Sequence, residues 1–409
     1  MMRVWATLLA LAWRNVWRNR HRTLITLAVV GGGLYSVLVL ASLMDAWARS
    51  SEETTMIWVT ASGQIHAKGY RDNPVAANGM AEPDSRLLSQ LESPEVRAWA
   101  PRIRVQCIVQ SEYRSLPANL WGVEPSREEA ISAIPRHIAD GRYLEGPDDD
   151  GIVLGKRLAS RLKTRVGKRV IVLAQAADGS LAQRGYRVVG LFAGNLEVED
   201  SEVETGLAVA RRTLHLEGRI SEIGYALQAG ANLGSVTAGL QSAAPGLEVE
   251  PWTKLAPMAV AMGELANGFV WVWLCLTFIF IAIGILNTQL MSVYERLREF
   301  GLLLAIGMRP ARLVLEVGLE AALLVGIGVA GGLAAAVGTV ALFGRGVDLT
   351  ILAQGAEYLG AGHVLYPSVN LREFLEVAFI VWFLGVAVAL IPARRAAKTD
   401  PAEVIAHAT

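Results

Sequence analysis

The residues equipped for chemistry are few and poorly spaced for it. The nearest approach to a phosphate-binding loop is Gly151-Ile-Val-Leu-Gly155-Lys156-Arg157. It is one residue short of GxxxxGK[ST] and lacks the closing Ser or Thr. Its interior is apolar, where such loops aim backbone amides at phosphate. The segment reads instead as a strand running into a helix. No HExxH or GxSxG occurs. His21, His66, His137, His215, His363 and His407 are scattered without metal-ligand spacing. Asp148-Asp149-Asp150 has the charge for a divalent cation but reads as a solvated turn before a strand. Cys107 and Cys275 fall in segments of opposite character, so no disulfide between them is expected. The chain is expected to be non-catalytic, with no metal or cofactor of its own.

The elements around these residues are set by the distribution of apolar side chains. Of 409 residues 53% are apolar and 19% charged, against about 45–50% and about 25% in soluble domains. Mean hydropathy is +0.36. This composition excludes a disordered chain, a collagen and a disulfide scaffold. A net charge of +0 gives no pull toward nucleic acid, and none is expected as a partner. Four stretches are long and charge-poor enough to span a bilayer, which takes about 20 apolar residues. They divide the chain into a leader (1–22), a first span (23–45), a large insert (46–267) and a second span (268–292). A loop (293–312), a third span (313–343), a short loop (344–373), a fourth span (374–392) and a tail (393–409) follow.

Positive charge sets the orientation. Arg3, Arg14, Arg18, Arg20 and Arg22 precede the first span; Arg296, Arg298, Arg309 and Arg312 lie between the second and third; Arg394, Arg395 and Lys398 follow the fourth. Both termini and the middle loop are therefore expected in the cytoplasm of a cell with this chain in its inner membrane, the insert on the far side. Ala46-Trp47-Ala48 has the small-x-small form of a signal-peptide site, but the preceding apolar run is too long for an h-region. The span is read as retained. Trp5, Leu9, Trp13 and Trp17 recur at helical spacing in the leader, as in an interfacial amphipathic helix.

Two carboxylates, Glu316 and Glu320, stand at the start of the third span. An intramembrane carboxylate raises the question of a proton or substrate site. Capping against arginines of the adjacent loop is the simpler expectation, and no relay of carboxylates continues across the span. Gly328 and Gly332 form a GxxxG step, which permits close helix approach within the subunit or in a dimer.

The insert alternates strand and helix signals. Gln64–Ala67, Val105–Gln110, Arg169–Ala174 and Tyr186–Phe192 read as strands, with Asp178-Gly179 turning the last two into a hairpin. Ser85–Leu91, Gly155–Leu162 and Leu233–Ala243 read as helices. One or two α/β or α+β subdomains follow.

Between the second and third spans stands Glu295-Arg-Leu-Arg-Glu-Phe-Gly-Leu-Leu-Leu-Ala-Ile-Gly307. Glu295, Arg296, Arg298 and Glu299 give a short charged helix, and an apolar turn ends in glycine. Such a short element needs a partner surface. This segment resembles the E-R-x-R-E-I-G-L-L-R-A-L-G loop of FtsX-like permeases, the membrane subunits of MacB- and LolC/LolE-type ABC transporters. Phe300, Leu304 and Ile306 depart from that pattern, Leu304 replacing a basic residue. Ile391-Pro-Ala-Arg-Arg-Ala-Ala-Lys-Thr-Asp-Pro-Ala-Glu403 resembles the family's exit from its last span. Leu11–Asn19, Gly185–Phe192 and Asp200 are similar to the LolC/LolE group.

The resemblance implies an α-helical membrane protein with four transmembrane helices and a large extracytoplasmic α+β domain, the MacB-like periplasmic core domain. It implies pairing with a second copy or a paralogous permease, and a separate ABC ATPase that binds ATP and Mg. The ATPase contact then falls on Glu295, Arg296, Arg298, Glu299, Leu302, Leu303 and Gly307, with Leu302 and Leu303 at its centre. ATPase motion would be passed outward to extract or release lipoproteins, lipids or other amphipathic substrates at the periplasmic side, with a chaperone or adaptor as a further partner. Two other readings stay open: a MacB-like efflux subunit driving a periplasmic adaptor, and an FtsX-like activator of a cell-wall hydrolase.

Overall fold

The computed structural model describes residues 12–348 and 364–396. Trp5 and Leu9 of the leader, His363, His407 and the tail beyond 396 lie outside the described residues. The described residues divide into two compact units, 12–48 with 263–348 and 364–396, and 49–262.

In the first unit, four helices are long and apolar enough to cross a membrane: Arg20–Thr55, Pro257–Glu295, Pro310–Phe343 and Leu371–Ala396. Each continues past its apolar run, because the helical backbone satisfies its own polar groups and has no cause to stop at the end of the run. Val30, Leu34 and Leu38 meet Ile281, Ile285, Ala321, Val325, Phe374, Ala378 and Val381 in a common core. Larger residues such as Trp271, Phe280, Phe379 and Phe383 are exposed. Lipid is as apolar as they are, so close backbone approach rather than hydrophobic exclusion holds such helices together.

The second unit is a ten-stranded sheet with helices packed against it. Its strands are β1 (Gly63–Ala67), β2 (Val96–Gln110), β3 (Ser115–Val123), β4 (Ile138–Gly141) and β5 (Gly151–Gly155), then β6 (Arg169–Gln175), β7 (Leu181–Phe192), β8 (Glu202–Gly206), β9 (Glu222–Leu227) and β10 (Leu247–Pro251). The long strand β2 belongs to two substructures. Its C-terminal half pairs with β3 on one side and β6 on the other, and the pairings β3–β8, β8–β5, β5–β7 and β7–β6 close a ring of six. Val105, Cys107 and Val109 are buried while Gln106, Ile108 and Gln110 are exposed, the period of two that a half-buried strand requires. The N-terminal half of β2 pairs with β9, which leads through β1 to β10. Helices Ser85–Leu91 and Leu233–Ala243 bury Leu87, Leu91, Val236 and Leu240 against Ile65, Ile223 and Tyr225 of this branch. Asp84 and Asn232 cap them by accepting from Leu87 N and Ser235 N at 2.8 and 3.0 Å.

Several sequence features find plain structural uses here. Strand β5 runs straight into helix Lys156–Leu162, whose Leu158, Ala159 and Leu162 are buried, so the near-match to a phosphate loop is a packing joint. Asp148, Asp149 and Asp150 each pair with a different arginine, Arg212 at 2.8 Å, Arg142 at 2.7 Å and Arg184. Among the described residues no cluster of ligands suits a metal. Asp178 accepts from Ser180 N at 2.9 Å, and Gly179 takes φ +82° in the hairpin between β6 and β7. Cys107 is buried and its thiol is pushed up to about 12 by that burial, while Cys275 lies exposed on the second span. Both are free.

Candidate ATPase-coupling site

The helix of the second span ends at Glu295, and a separate short helix runs from Leu297 to Ala305. The single charged helix expected from Glu295 to Glu299 is therefore two elements. Arg296 stands at the break with φ −106° and ψ 6°. The short helix stops because Gly307 adopts φ +97°, which only glycine takes without strain. Gly307 N donates to Leu304 O and Met308 N to Leu303 O, both at 3.0 Å, the double closure of a Schellman motif. Gly307 acts as a stop signal, and Pro310 then opens the third span at its first helical position.

One face of the short helix packs inward. Leu297, Phe300 and Leu304 meet Val293, Leu313, Val317 and Ala393. The opposite face is open: Leu302 is 58% and Ile306 76% exposed, with Leu303 half-buried beside them and Arg298 exposed. Leu302 and Ile306 are four residues apart, one above the other on a helix. Ile306 is not among the expected contact residues, although its spacing from Leu302 is in the sequence.

Arg296 points away from this open face. Its residue is 9% exposed, and its guanidinium reaches Glu320 at 2.9 Å, Glu316 at 3.3 Å and Glu299 at 3.4 Å. Arg296, expected in the ATPase contact, is instead turned inward, because the buried Glu320 and the half-buried Glu316 stand beside the helix break. Glu295 pairs with Arg22 at 3.2 Å and Glu299 with Arg18 at 3.4 Å, so two of the expected rim carboxylates are shared with the start of the first span.

Gly328 and Gly332 meet the first span of the same chain. A Cβ on Gly332 would lie 2.4 Å from Gly31 O, and one on Gly31 would lie 2.9 Å from Gly328 O. Two helices this close have no room for a side chain, so the step serves packing within the subunit.

The outer unit holds a second charged cluster. Arg102 on β2 donates to both oxygens of Glu128, through Nε at 3.0 Å, and lies 3.7 Å from Glu222. Glu204 on β8, fully buried, accepts from Tyr143 at 2.8 Å. Burial beside Glu128 pushes its carboxyl up to about 8. Glu202 accepts from Asn119 at 2.9 Å and from Trp121, and burial raises it too.

Residues 23–243 match the MacB-like periplasmic core domain, and residues 271–401 match the FtsX-like permease C-terminal region. The lipoprotein-releasing system transmembrane protein LolC of Xylella fastidiosa is 22% identical over 419 residues, 95% of each chain. The pyoverdine export ATP-binding/permease protein PvdT of Pseudomonas aeruginosa is 24% identical over 97% of this chain, which spans 58% of PvdT's own length. The solved periplasmic region of MacB from Actinobacillus actinomycetemcomitans aligns over 48% of this chain and 91% of its own. The identity is 15% and the TM-score 0.35, too low to carry an argument.

Proposed function

This chain belongs to the FtsX-like ABC transporter permeases that carry a MacB-like periplasmic core domain, and from that premise we propose that a separate ATP-hydrolysing subunit docks on helix 297–305. The carrying observation is the open apolar face formed by Leu302 and Ile306 on a helix otherwise anchored in the bundle. A small contact of this kind draws its affinity from a few buried anchors, with charges such as Arg298 and Glu299 setting register. ATP and Mg would be held by that subunit, and this chain would not hydrolyse ATP alone. Motion at the short helix would pass along the spans to the periplasmic domain, where lipoproteins or other amphipathic molecules are extracted or released. A second copy or a paralogous permease would complete the transporter, and a periplasmic chaperone or adaptor would receive the substrate.

The end-to-end likeness to LolC supports the lipoprotein reading. The likeness to PvdT favours a second one, an efflux subunit of MacB type working with a periplasmic adaptor. Affinity purification of the chain in mild detergent, with identification of bound subunits and lipids, separates them. Recovery of no ABC ATPase would refute both. With the ATPase in hand, Leu302→Asp combined with Leu303→Asp places unpaired charges in the contact and should reduce ATPase co-purification by about tenfold or more. Unchanged recovery would show that the ATPase docks elsewhere. For orientation, Asp178→Cys in a cysteine-free background should label from outside spheroplasts and Arg298→Cys should not; external labelling at 298 would reverse the assigned topology.

A further inference from the structure

We infer that Arg296 is a positioning residue, a latch inside the bundle that fixes helix 297–305 to the third span so that a push on the helix moves that span. The permease reading above supplies what does the pushing; the latch itself stands on geometry. A junction between two helices interrupts the i→i−4 ladder and behaves as a hinge unless side chains bridge it. Arg296 sits at that junction, and its guanidinium ties the short helix to the third span. Nη1 donates to Glu320 at 2.9 Å, Nη2 to Glu316 at 3.3 Å and Nε to Glu299 at 3.4 Å, while the guanidinium lies 4.9 Å from the Phe300 ring centre. One turn of the third span and one turn of the short helix therefore meet on a single planar group.

The chemistry selects arginine. A guanidinium offers five donors in a rigid fork and stacks on an aromatic face, whereas an ammonium is a point charge without direction. Glu316 and Glu320 are one turn apart and face the same way, which the fork can engage together. Their side chains are 14% and 6% exposed and that of Arg296 is 10% exposed, so water screens these charges little. Removing the guanidinium would leave two neighbouring carboxylates without their shared donor, and only the apolar packing of Leu297, Phe300 and Leu304 would then hold the helix to the span. The same contacts give Glu320 a use as the anchor on the third span.

The test uses the full chain in two arms. In the first, Ile306→Cys and Leu342→Cys carry spin labels, with Cys107 and Cys275 replaced by Ser. Both labelled positions are exposed. The native chain should give one narrow distance distribution. Arg296→Gln and Glu320→Gln should each broaden it, Arg296→Lys should broaden it less, and the swap Arg296→Glu with Glu320→Arg should restore it. In the second arm, the chain is reconstituted in proteoliposomes with its co-purified ATPase and a fluorescent triacylated lipopeptide. Arg296→Gln should keep ATPase recovery within about twofold while lipopeptide released per ATP falls about tenfold. An unbroadened distribution, or loss of the ATPase itself as in the Leu302 and Leu303 variant, overturns the latch. If the native chain binds no ATPase, the permease proposal fails and the first arm still decides the latch.

Discussion

Arg102 and Arg296 are both buried arginines held by carboxylates, yet the two regions use them differently. Arg102 lies in the middle of β2, flanked by paired strands, and closes on Glu128 with both fork positions filled. Its own backbone is held by paired strands on both sides. Arg296 lies where the backbone leaves helical geometry and divides its donors among residues of two elements. The same ionic chemistry locks a domain in one case and bridges a joint in the other. Backbone context decides which: a ladder of interstrand bonds already fixes Arg102, while at position 296 the side chain is the polar tie between the short helix and the third span.

The largest effect that would sharpen this contrast is at Arg102. Arg102→Ala strands Glu128 and Glu222 without a cation inside the outer domain, and breaking a buried pair from one side costs about 3–5 kcal/mol. Hydrogen exchange of the β2 and β8 amides in the detergent-solubilised chain should show the lost protection. Arg296→Gln should leave those amides unchanged. Equal loss in both variants would erase the distinction between lock and latch.

A smaller effect is expected inside the membrane unit. Gly332→Leu drives a side chain into the Gly31 backbone, and overpacking of this kind costs about 1–3 kcal/mol. Gly331→Leu is the control, because a Cβ there meets nothing within 4 Å. Thermal unfolding in detergent should separate the two. Equal melting would mean that the close approach of first and third spans contributes little.

The last effect is a pH slope. Glu204 ionises near 4.5 when unfolded but only at about 8 in the folded domain. Between those values the native state holds a proton the unfolded state has lost, so stability falls as pH rises through the interval. Glu204→Gln keeps the hydrogen bond with Tyr143 and removes the titration. Its unfolding midpoint should decline less between pH 5 and about 8 than that of the native chain. An unchanged slope would place the titrating group elsewhere in the cluster.

Much of the architecture was legible because it depends on local pattern. Twenty or so apolar residues must become a helix in lipid, whatever surrounds them. Ser85–Leu91 and Leu233–Ala243 were readable from their caps and spacing, and the hairpin at Asp178-Gly179 from its turn chemistry. Strands β3, β4, β8, β9 and β10 are not legible in the sequence pattern. Glu202, Glu204 and Glu222 interrupt two of them with charges that look like solvent-exposed residues until their partners Arg104, Tyr143 and Arg102 are in place.

By itself the sequence determined the number of spans, the α+β character of the insert and the charged loop with its glycine stop. Each follows from interactions over a few residues, which neighbouring side chains settle. Tertiary structure decided which way the charges of that loop face. Arg296 and Glu320 are 24 positions apart, and Gly31 and Gly332 lie at opposite ends of the chain. No local periodicity relates such pairs; only the packing of the helices brings a guanidinium onto two carboxylates and one glycine backbone onto another.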